Sequence, residues 1–318
     1  MTTDPSYNLA MEQYVFDCLP RDRMYFMLWQ NDNAIIVGKY QNTISEINEE
    51  AVRERGIRVV RRLSGGGAVY HDMGNLNFTF CVRTQDYDLR RQQRVIVEAC
   101  RLLGIPAEIS GRNDVLTDGR KFSGNSFYSH DGCSFHNGTL LLNVDMANLG
   151  KYLNPSKAKL ESKGVPSVRS RVVNLCEQKP ELSVEMMEKA MIAAFETVYG
   201  CRAEPLCSAD FDQRRLHELW EGFSSWDWNY GKMRPFSFSC SAKFDWGEIT
   251  LEFAVRDGLC EDVSVYTDAM ETEFVAPLRE GLCACRFAVE NLCARVRSLP
   301  ECGMVAEDLC ALLREQDI

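Results

Sequence analysis

The stretch that decides the fold is residues 57–82, which read IRVVRRLSGGGAVYHDMGNLNFTFCV. Its first residues, Ile57–Arg62, predict a buried strand, and this strand leads into a turn with three consecutive glycines. Its last residues, Leu76–Val82, alternate between apolar and small polar side chains. This alternation predicts a half-buried strand, with only one face in the core.

Helices and further strands surround this stretch without a regular alternation. A helix is predicted to begin at Asp4-Pro5, where aspartate caps the helix and proline takes the first helical position. Met24–Trp29 and Ala34–Val37 are predicted to be buried strands, and Leu89–Leu103 a helix. Because strands do not alternate strictly with helices, the pattern predicts an α+β fold rather than a doubly wound parallel sheet.

The last part of the chain changes character. The alternation over residues 244–255 predicts strands, and Asp257-Gly258 is a strong signal for a hairpin turn. Three helical stretches follow it. We place a domain boundary near Arg234-Pro235, which divides the chain into a larger domain, 1–234, and a small α+β accessory domain, 235–318.

Composition and charge exclude several classes of protein. A formal net charge of −10 over 318 residues argues against a general nucleic-acid binder, which needs a basic face to neutralise phosphates. We expect no membrane association and no secretion, since there is neither a long apolar run nor a signal peptide. The fourteen cysteines include no Cys-x-x-Cys pair and the four histidines are scattered, which indicates reduced thiols in the cytoplasm rather than a metal site.

The glycine turn is the first of two segments suited to an anionic ligand. Three glycines let backbone N–H groups approach a ligand closely, and Arg61 and Arg62 supply positive charge for a phosphate or carboxylate. A triple glycine considered alone is more often a tight, mobile turn. It is neither a Walker loop nor the Gly-x-Gly-x-x-Gly of dinucleotide-binding proteins.

The second segment contains a lysine between small residues. Lys121 lies on a predicted strand, and its ammonium is a compact charge suited to a phosphoryl group during transfer. Asn113 and Asp114 precede it and are candidates to bind a ribose, a metal ion or the lysine itself. Considered alone, this segment is more simply explained as a solvated hairpin with charged tips.

Five segments together resemble the lipoate–protein ligase A family, in the same order and spacing. They are RRLSGGGAVYHD (61–72), GRND and GRKFSGNS (within 111–126), HNGTLLL (136–142), KGVPSVRSRVVNL (163–175) and SSWDWNYG (224–231). The last segment is typical of the long bacterial ligases, which carry an accessory domain after the catalytic one. The resemblance implies a catalytic domain built on a large mixed sheet flanked by helices, as in the biotin ligases.

The resemblance also implies roles for individual residues. Lys121 matches the essential lysine, which contacts both the lipoyl carbonyl and the α-phosphate. The residues implied to bind ATP and the adenylate are Arg62, Gly67, Ala68, Val69, Tyr70, Asn75, Asn113, Asp114 and Lys121. The residues implied to bind lipoate are Ser64, Gly67, His71, Lys121, Ser123, Gly124, Ser126, Gly138 and Thr139. Asp114 is also the candidate ligand for a magnesium ion that arrives with ATP.

The family activates lipoate with ATP and transfers the lipoyl group to a lysine of another protein. The resemblance therefore implies ATP, Mg²⁺ and lipoate as substrates. It implies lipoyl-domain proteins as acceptors, namely the E2 subunits of 2-oxo acid dehydrogenases and the H protein of glycine cleavage. The basic stretch Lys151–Arg171 is a hypothetical docking site for such acidic domains. The chain departs from the family at Asn137, where histidine is frequent, and at Tyr128, where one branch has arginine. The preference between lipoate and octanoate therefore stays open.

Three alternatives remain at this point. The nearest is an ATP-independent octanoyl- or lipoyl-transferase of the same superfamily, with Cys133 as its candidate nucleophile. A biotin ligase is disfavoured because its Gly-Arg-Gly-Arg-Arg-Gly segment is missing. A non-catalytic protein that binds lipoyl-adenylate is disfavoured because Lys121 is present.

Overall fold

The computed structural model describes residues 2–111, 114–154, 172–231 and 235–316. The chain divides into two compact units. The first comprises Met1–Val37, Glu46–Arg62 and Ala68–Asn229, and the second comprises Gly38–Ser45, Leu63–Gly67 and Tyr230–Ile318. The second unit thus includes two short segments from the region predicted to be the larger domain. The division at 234/235 stays a prediction.

Strands and helices up to residue 229 are numbered in chain order. The strands are β1 (Tyr25–Trp29), β2 (Ala34–Val37), β3 (Arg58–Arg61), β4 (Val69–His71), β5 (Asn75–Arg83), β6 (Glu108–Ser110), β7 (Asp114–Thr117), β8 (Arg120–His130) and β9 (Cys133–Leu141). The helices are α1 (Pro5–Cys18), α2 (Thr43–Glu46), α3 (Glu49–Arg55), α4 (Leu89–Leu102), α5 (Met146–Tyr152), α6 (Val184–Tyr199), α7 (Gln213–Ser224) and α8 (Trp226–Asn229).

A six-stranded antiparallel sheet forms the centre of the first unit, in the order β1-β5-β9-β8-β7-β6. One of its faces is apolar. Leu76, Phe78 and Phe80 of β5 are fully buried on that face, in a core that includes residues of α4 and α6. The strand predicted over Leu76–Val82 is present, and its polar residues alternate onto the opposite face. The prediction that this strand is half-buried is wrong, because Asn77 and Thr79 on the polar face are each only 1% exposed.

A smaller sheet and the first helix complete the surroundings of the site. The small sheet has the order β3-β2-β4, with β2 parallel to β3 and antiparallel to β4. Helix α1 contacts strands of both sheets, namely β1, β3, β5 and β9. It begins as predicted, because the carboxylate of Asp4 accepts hydrogen bonds from the backbone N–H groups of Ser6 and Tyr7.

The second unit has its own sheet and core. Its antiparallel strands are β10 (Phe238–Phe244), β11 (Gly247–Arg256) and β12 (Leu259–Thr267), and its helices are α9 (Val275–Leu282), α10 (Val289–Arg297) and α11 (Ala306–Arg314). The predicted hairpin turn at Asp257-Gly258 is present, with φ angles of 52° and 75°. The alternation over residues 244–255 belongs mainly to the single strand β11. The glycine turn also belongs to this unit, where the N–H of Gly66 donates to the carbonyl of Ala269 at 2.9 Å.

The predicted α+β class is confirmed by this combination of antiparallel sheets and flanking helices. Each helix in the described part of the chain is too short or too polar to cross a membrane. All fourteen cysteines are free thiols.

Candidate active site

The large sheet carries polar side chains on the face opposite its apolar core. Asn77 and Thr79 of β5 lie directly across from Thr139 and Asn137 of β9. Ser126 of β8 lies across from Asn137 on the other side. Directly opposed residues of neighbouring strands share a face, so these five residues form a continuous patch, which we call the polar patch.

A β-bulge aims Lys121 at this polar patch. The register between β7 and β8 shifts, so that Val115 opposes Ser123 whereas Leu116 opposes Lys121. Phe122 is the extra residue of the bulge, and its ring is fully buried in the apolar core. Without the extra residue, strand alternation would place Lys121 and Gly124 on opposite faces. With it, both lie on the polar face.

Gly124 provides the space in which the lysine side chain lies. A Cβ atom added at Gly124 would stand 3.1 Å from both Cε and Nζ of Lys121, and 4.0 Å from Oγ1 of Thr139. Nζ of Lys121 pairs with Oδ1 of Asp114 at 2.7 Å, and the two side chains are 36% and 39% exposed. The lysine is therefore held above the sheet, beside the polar patch, and is open to an incoming anion.

Glu12 of α1 is buried against the polar patch, with 1% of its surface exposed. Its Oε1 accepts hydrogen bonds from Oγ1 of Thr79 at 2.6 Å and from Nδ2 of Asn137 at 3.0 Å. The hydroxyl of Ser126 donates to Oδ1 of the same Asn137. Burial raises the pKa of Glu12, while the two hydrogen bonds and the charge of Arg62 oppose that rise.

Arg62 is a second buried charge, with 7% of its surface exposed. Its guanidinium donates to the backbone carbonyl of Ile36 at 3.2 Å. Burial lowers the pKa of Arg62 to about 10, although the nearby Glu12 carboxylate works in the opposite direction. The guanidinium remains protonated at neutral pH, so it provides a fixed positive charge near Glu12.

The adjacent Arg61 has a structural function. Its guanidinium donates to the backbone carbonyls of Trp228 and Asn229, at 2.9 Å and 3.0 Å. The indole of Trp228 donates back to the carbonyl of Arg61 at 2.8 Å, and the N–H of Arg61 donates to Oδ1 of Asn229 at 2.8 Å. The tryptophan-rich segment is thus bound to β3, immediately before Arg62.

Several buried polar atoms near the polar patch have no hydrogen-bond partner within the described residues. They are Nε2 of His71, Oδ1 of Asn75, Nδ2 of Asn77 and Oε2 of Glu12. Burial, together with the charge of Arg62, lowers the pKa of His71 to about 3, so its ring is neutral. Buried donors and acceptors in native proteins are normally paired, so these four atoms are candidate contacts for a ligand.

The structure brings one group of the predicted residues together. Asn75, Asp114, Lys121, Gly124, Ser126 and Thr139 all lie on the polar face of the large sheet. Arg62 and His71 are connected to this group through Glu12. The positive charge of Arg62 acts to lower the pKa values of both His71 and Glu12.

Other predicted residues lie elsewhere. Ser123 opposes Val115 and so points to the apolar core, where its hydroxyl has no partner among the described residues. Gly138 also faces the core, since an added Cβ would stand 2.6 Å from Cζ of Phe78. Val69 is the first residue of β4 in the small sheet, and Ala68 immediately precedes it. The Tyr70 hydroxyl donates to Asn33 at 3.3 Å.

The remaining predicted residues lie in the second unit, outside the described residues or at the far end of β9. Ser64 and Gly67 belong to the second unit. Asn113 lies outside the described residues, and so does the basic stretch beyond Asn154 up to Arg171. Cys133, the candidate nucleophile of the alternative reaction, is 3% exposed and stands at the opposite end of β9 from Thr139.

The sequence analysis did not identify Glu12, Thr79 or Asn77. Glu12 carries a signal that was available, because its neighbours three and four positions away on the helix include Leu9, Val15 and Phe16. A carboxylate with apolar neighbours on its side of a helix is a candidate for a paired, functional group. Asn77 and Thr79 carried no comparable signal, since polar residues on the open face of a strand are ordinary.

Family models match most of the chain. Residues 4–196 match the lipoyl protein ligase A/B catalytic domain, and residues 234–313 match the bacterial lipoate protein ligase C-terminus. A lipoate-protein ligase A of Psychrobacter cryohalolentis is 36% identical over 319 residues, which cover 96% of this chain and 94% of the relative.

Two solved structures are also similar. The structure of LipL1 of P. falciparum in complex with lipoate has a TM-score of 0.86 and 25% identity, covering 99% of this chain and 98% of its own. A bipartite lipoate protein ligase of Thermoplasma acidophilum, studied with its E2 lipoyl domain, has a TM-score of 0.64 and 25% identity, covering 72% of this chain and 93% of its own.

Proposed function

This chain belongs to the family of lipoyl protein ligases, with both the A/B catalytic domain and the bacterial C-terminal region, and on that premise we propose that it is an ATP-dependent lipoate–protein ligase. It activates lipoate as lipoyl-AMP and transfers the lipoyl group to a lysine of an acceptor protein. The observation that carries the proposal is the position of Lys121, which lies over Gly124 beside the polar patch. Near this patch, several buried donors and acceptors have no partner among the residues that the structure describes.

Adenylation requires two anions to approach each other. The lipoate carboxylate attacks the α-phosphorus of ATP, a new P–O bond forms, and the bond to the leaving pyrophosphate breaks. The ammonium of Lys121 offsets the repulsion between the reactants and stabilises the charge that develops on the α-phosphate. Its partner in the resting protein is Asp114, at 2.7 Å, and we propose that the substrates take over this ion pair.

The buried end of the site holds the acyl group away from water. Trp29 lies across from Asn77 on the polar face, and its indole donates to Thr79 at 3.1 Å. This ring covers the polar side chains next to it and offers apolar surface to an acyl chain. The network of Glu12, Asn137 and Ser126 fixes the floor, since each of its side chains is held by at least one other.

Magnesium belongs to the proposal as part of the Mg-ATP substrate. Among the described residues no group of three or more histidine, cysteine or acidic side chains is arranged to hold a metal ion. Magnesium typically needs only one or two carboxylates when substrate phosphates supply the other ligands. Asp114 is the carboxylate that we propose for this role, together with the predicted nucleotide contact of Asn113.

In the second half-reaction, the amine of an acceptor lysine attacks the acyl carbon of lipoyl-AMP and AMP leaves. The ligase of T. acidophilum was studied with an E2 lipoyl domain, and we propose acceptors of this kind for this chain. We extend the proposal to the E2 subunits of 2-oxo acid dehydrogenases and to the glycine cleavage H protein, and we place the protein in the cytoplasm.

The test of this function is lipoate-dependent exchange of pyrophosphate into ATP. We expect exchange by the wild-type protein, and its loss in Lys121→Ala, because a positioned charge at a developing anion contributes about 3 kcal/mol or more. Lys189→Ala is the matched control, since Lys189 pairs with Glu185 on the surface of α6. A folded Lys121→Ala variant with wild-type exchange would rule out the assigned role of this lysine.

A further inference from the structure

Two buried asparagines connect helix α1 to the ring of His71. Nδ2 of Asn8 donates to the backbone carbonyl of Gln30 at 2.7 Å and to Oδ1 of Asn31 at 2.9 Å. Nδ2 of Asn31 lies 3.1 Å from Nδ1 of His71. Asn8, Asn31 and His71 are 6%, 0% and 3% exposed, so water competes little with these hydrogen bonds. We call the three side chains the asparagine relay.

The direction of each hydrogen bond in the asparagine relay follows from its first member. A backbone carbonyl only accepts, so the Asn8 atom that faces Gln30 must be the amide nitrogen. The same nitrogen faces Asn31, which therefore offers its oxygen to Asn8 and its own nitrogen to His71. Because an amide nitrogen only donates, Nδ1 of His71 must accept and carries no proton.

A neutral imidazole without a proton on Nδ1 carries its proton on Nε2. The ring of His71 is neutral, because burial and the charge of Arg62 lower its pKa to about 3. Nε2 is buried and has no partner among the residues that the structure describes. The asparagine relay thus leaves one oriented N–H donor in the protein interior, ready for an acceptor atom.

We propose that Asn8 and Asn31 are positioning residues that fix His71 as the Nε2–H tautomer, so that it donates a hydrogen bond to the acyl substrate. The proposal rests on the proposed ligase function. The asparagine relay borders the polar patch, because Asn8 lies one helical turn before Glu12 on α1, and Glu12 accepts hydrogen bonds from Thr79 and Asn137. The acceptor atom is a carboxyl oxygen or a ring sulfur of lipoate.

The variants His71→Gln and His71→Asn separate the two ring nitrogens. The amide of glutamine reaches the place of Nε2, whereas the amide of asparagine reaches only the place of Nδ1. The hydrogen bond is made equally in the ground state and the transition state, so its loss raises KM and leaves kcat unchanged. We expect His71→Asn to raise the KM for lipoate about tenfold and His71→Gln to stay within about threefold of wild type.

A repetition with octanoate, which lacks ring sulfur, locates the acceptor atom. An equal rise in KM for both acids places the hydrogen bond at the carboxyl group, and a rise confined to lipoate places it at the sulfur. Equal KM values for His71→Gln and His71→Asn with both acids would overturn the proposal.

The role of Asn31 is tested by nitrogen-15 NMR of the histidine rings in the protein without substrate, with His71 assigned by its absence in His71→Gln. We expect a protonated Nε2 and a bare Nδ1 in wild type. Asn31→Asp should move a proton to Nδ1, because a carboxylate oxygen then faces that nitrogen. Asn33→Asp is the matched control, since Asn33 lies in the same loop and its amide donates to the carbonyl of Arg55.

A wild-type ring with its proton on Nδ1 would refute the asparagine relay, and so would an unchanged spectrum in a folded Asn31→Asp variant. The wild-type spectrum needs no substitution at Asn31, so the proposal can fail even if that variant does not fold. A failure of the ligase function would instead appear as absent pyrophosphate exchange, whatever the tautomer of His71.

Discussion

Gly124→Ala is expected to impair catalysis while leaving the fold intact. The added Cβ would stand 3.1 Å from Nζ and Cε of Lys121, where about 3.5–4.0 Å is an unstrained separation. The end of the lysine side chain must therefore move by about 0.5 Å. Since a misplacement of about 1 Å costs about a hundredfold in rate, we expect about a tenfold loss of adenylation, or about 1.4 kcal/mol. The assay is pyrophosphate exchange at saturating lipoate and ATP.

The matched control is Gly138→Ala, which changes the same residue type on the neighbouring strand. Its Cβ would stand 2.6 Å from both the backbone oxygen of Gly124 and Cζ of Phe78, which are fixed within the sheet and the core. We expect it to lower the free energy of unfolding by about 3 kcal/mol, whereas Gly124→Ala should change it by less than about 1 kcal/mol. Urea unfolding measures both values. The reasoning fails if Gly124→Ala exchanges pyrophosphate at the wild-type rate or if the two variants lose equal stability.

Three further results are expected. Cys133→Ser should keep full lipoate transfer, because Cys133 is buried and lies away from Lys121. Intact-mass spectra should show no acyl-enzyme, and an acyl adduct that is lost in this variant would support the thioester transferase. Asn137→Ala should reduce the free energy of unfolding, measured by urea titration, by about 2 kcal/mol. The variant removes the hydrogen bond from Ser126 to Asn137 and the one from Asn137 to Glu12. An unchanged free energy of unfolding would contradict the proposed hydrogen-bond network. A chain that ends after Arg234, without the accessory domain, should transfer from supplied lipoyl-AMP better than it forms the adenylate. Normal activation of lipoate by this truncated chain would contradict a role of the accessory domain in adenylation.

Local patterns were sufficient to predict several elements of the fold. The cap at Asp4, the alternation in β5 and the turn at Asp257-Gly258 each depend on residues a few positions apart, and all three are present. The order of the strands was not predicted, because it depends on pairings between distant segments such as β1 with β5. The assignment of Leu63–Gly67 to the second unit is also a result of distant contacts.

The site was predicted only in part, because its geometry also depends on pairings between segments that are distant in the sequence. The motifs identified Lys121 and Gly124, but a bulge at Phe122 decides that both lie on one face, and nothing local in the sequence marks that bulge. The same bulge explains why Ser123 points to the core although it lies between two predicted site residues. The apolar neighbours of Glu12 on its helix marked it locally, but its role depends on Thr79 and Asn137, which come from strands far away in the sequence.

The most direct test of the central claim is the intact mass of an acceptor lipoyl domain after incubation with this protein, lipoate and Mg-ATP. We predict a gain of one lipoyl group, lost when ATP is omitted, when Lys121 is replaced by alanine, or when the acceptor lysine is substituted. A gain of the same mass without ATP, or a covalent acyl group on the protein itself, would contradict an adenylate-forming ligase.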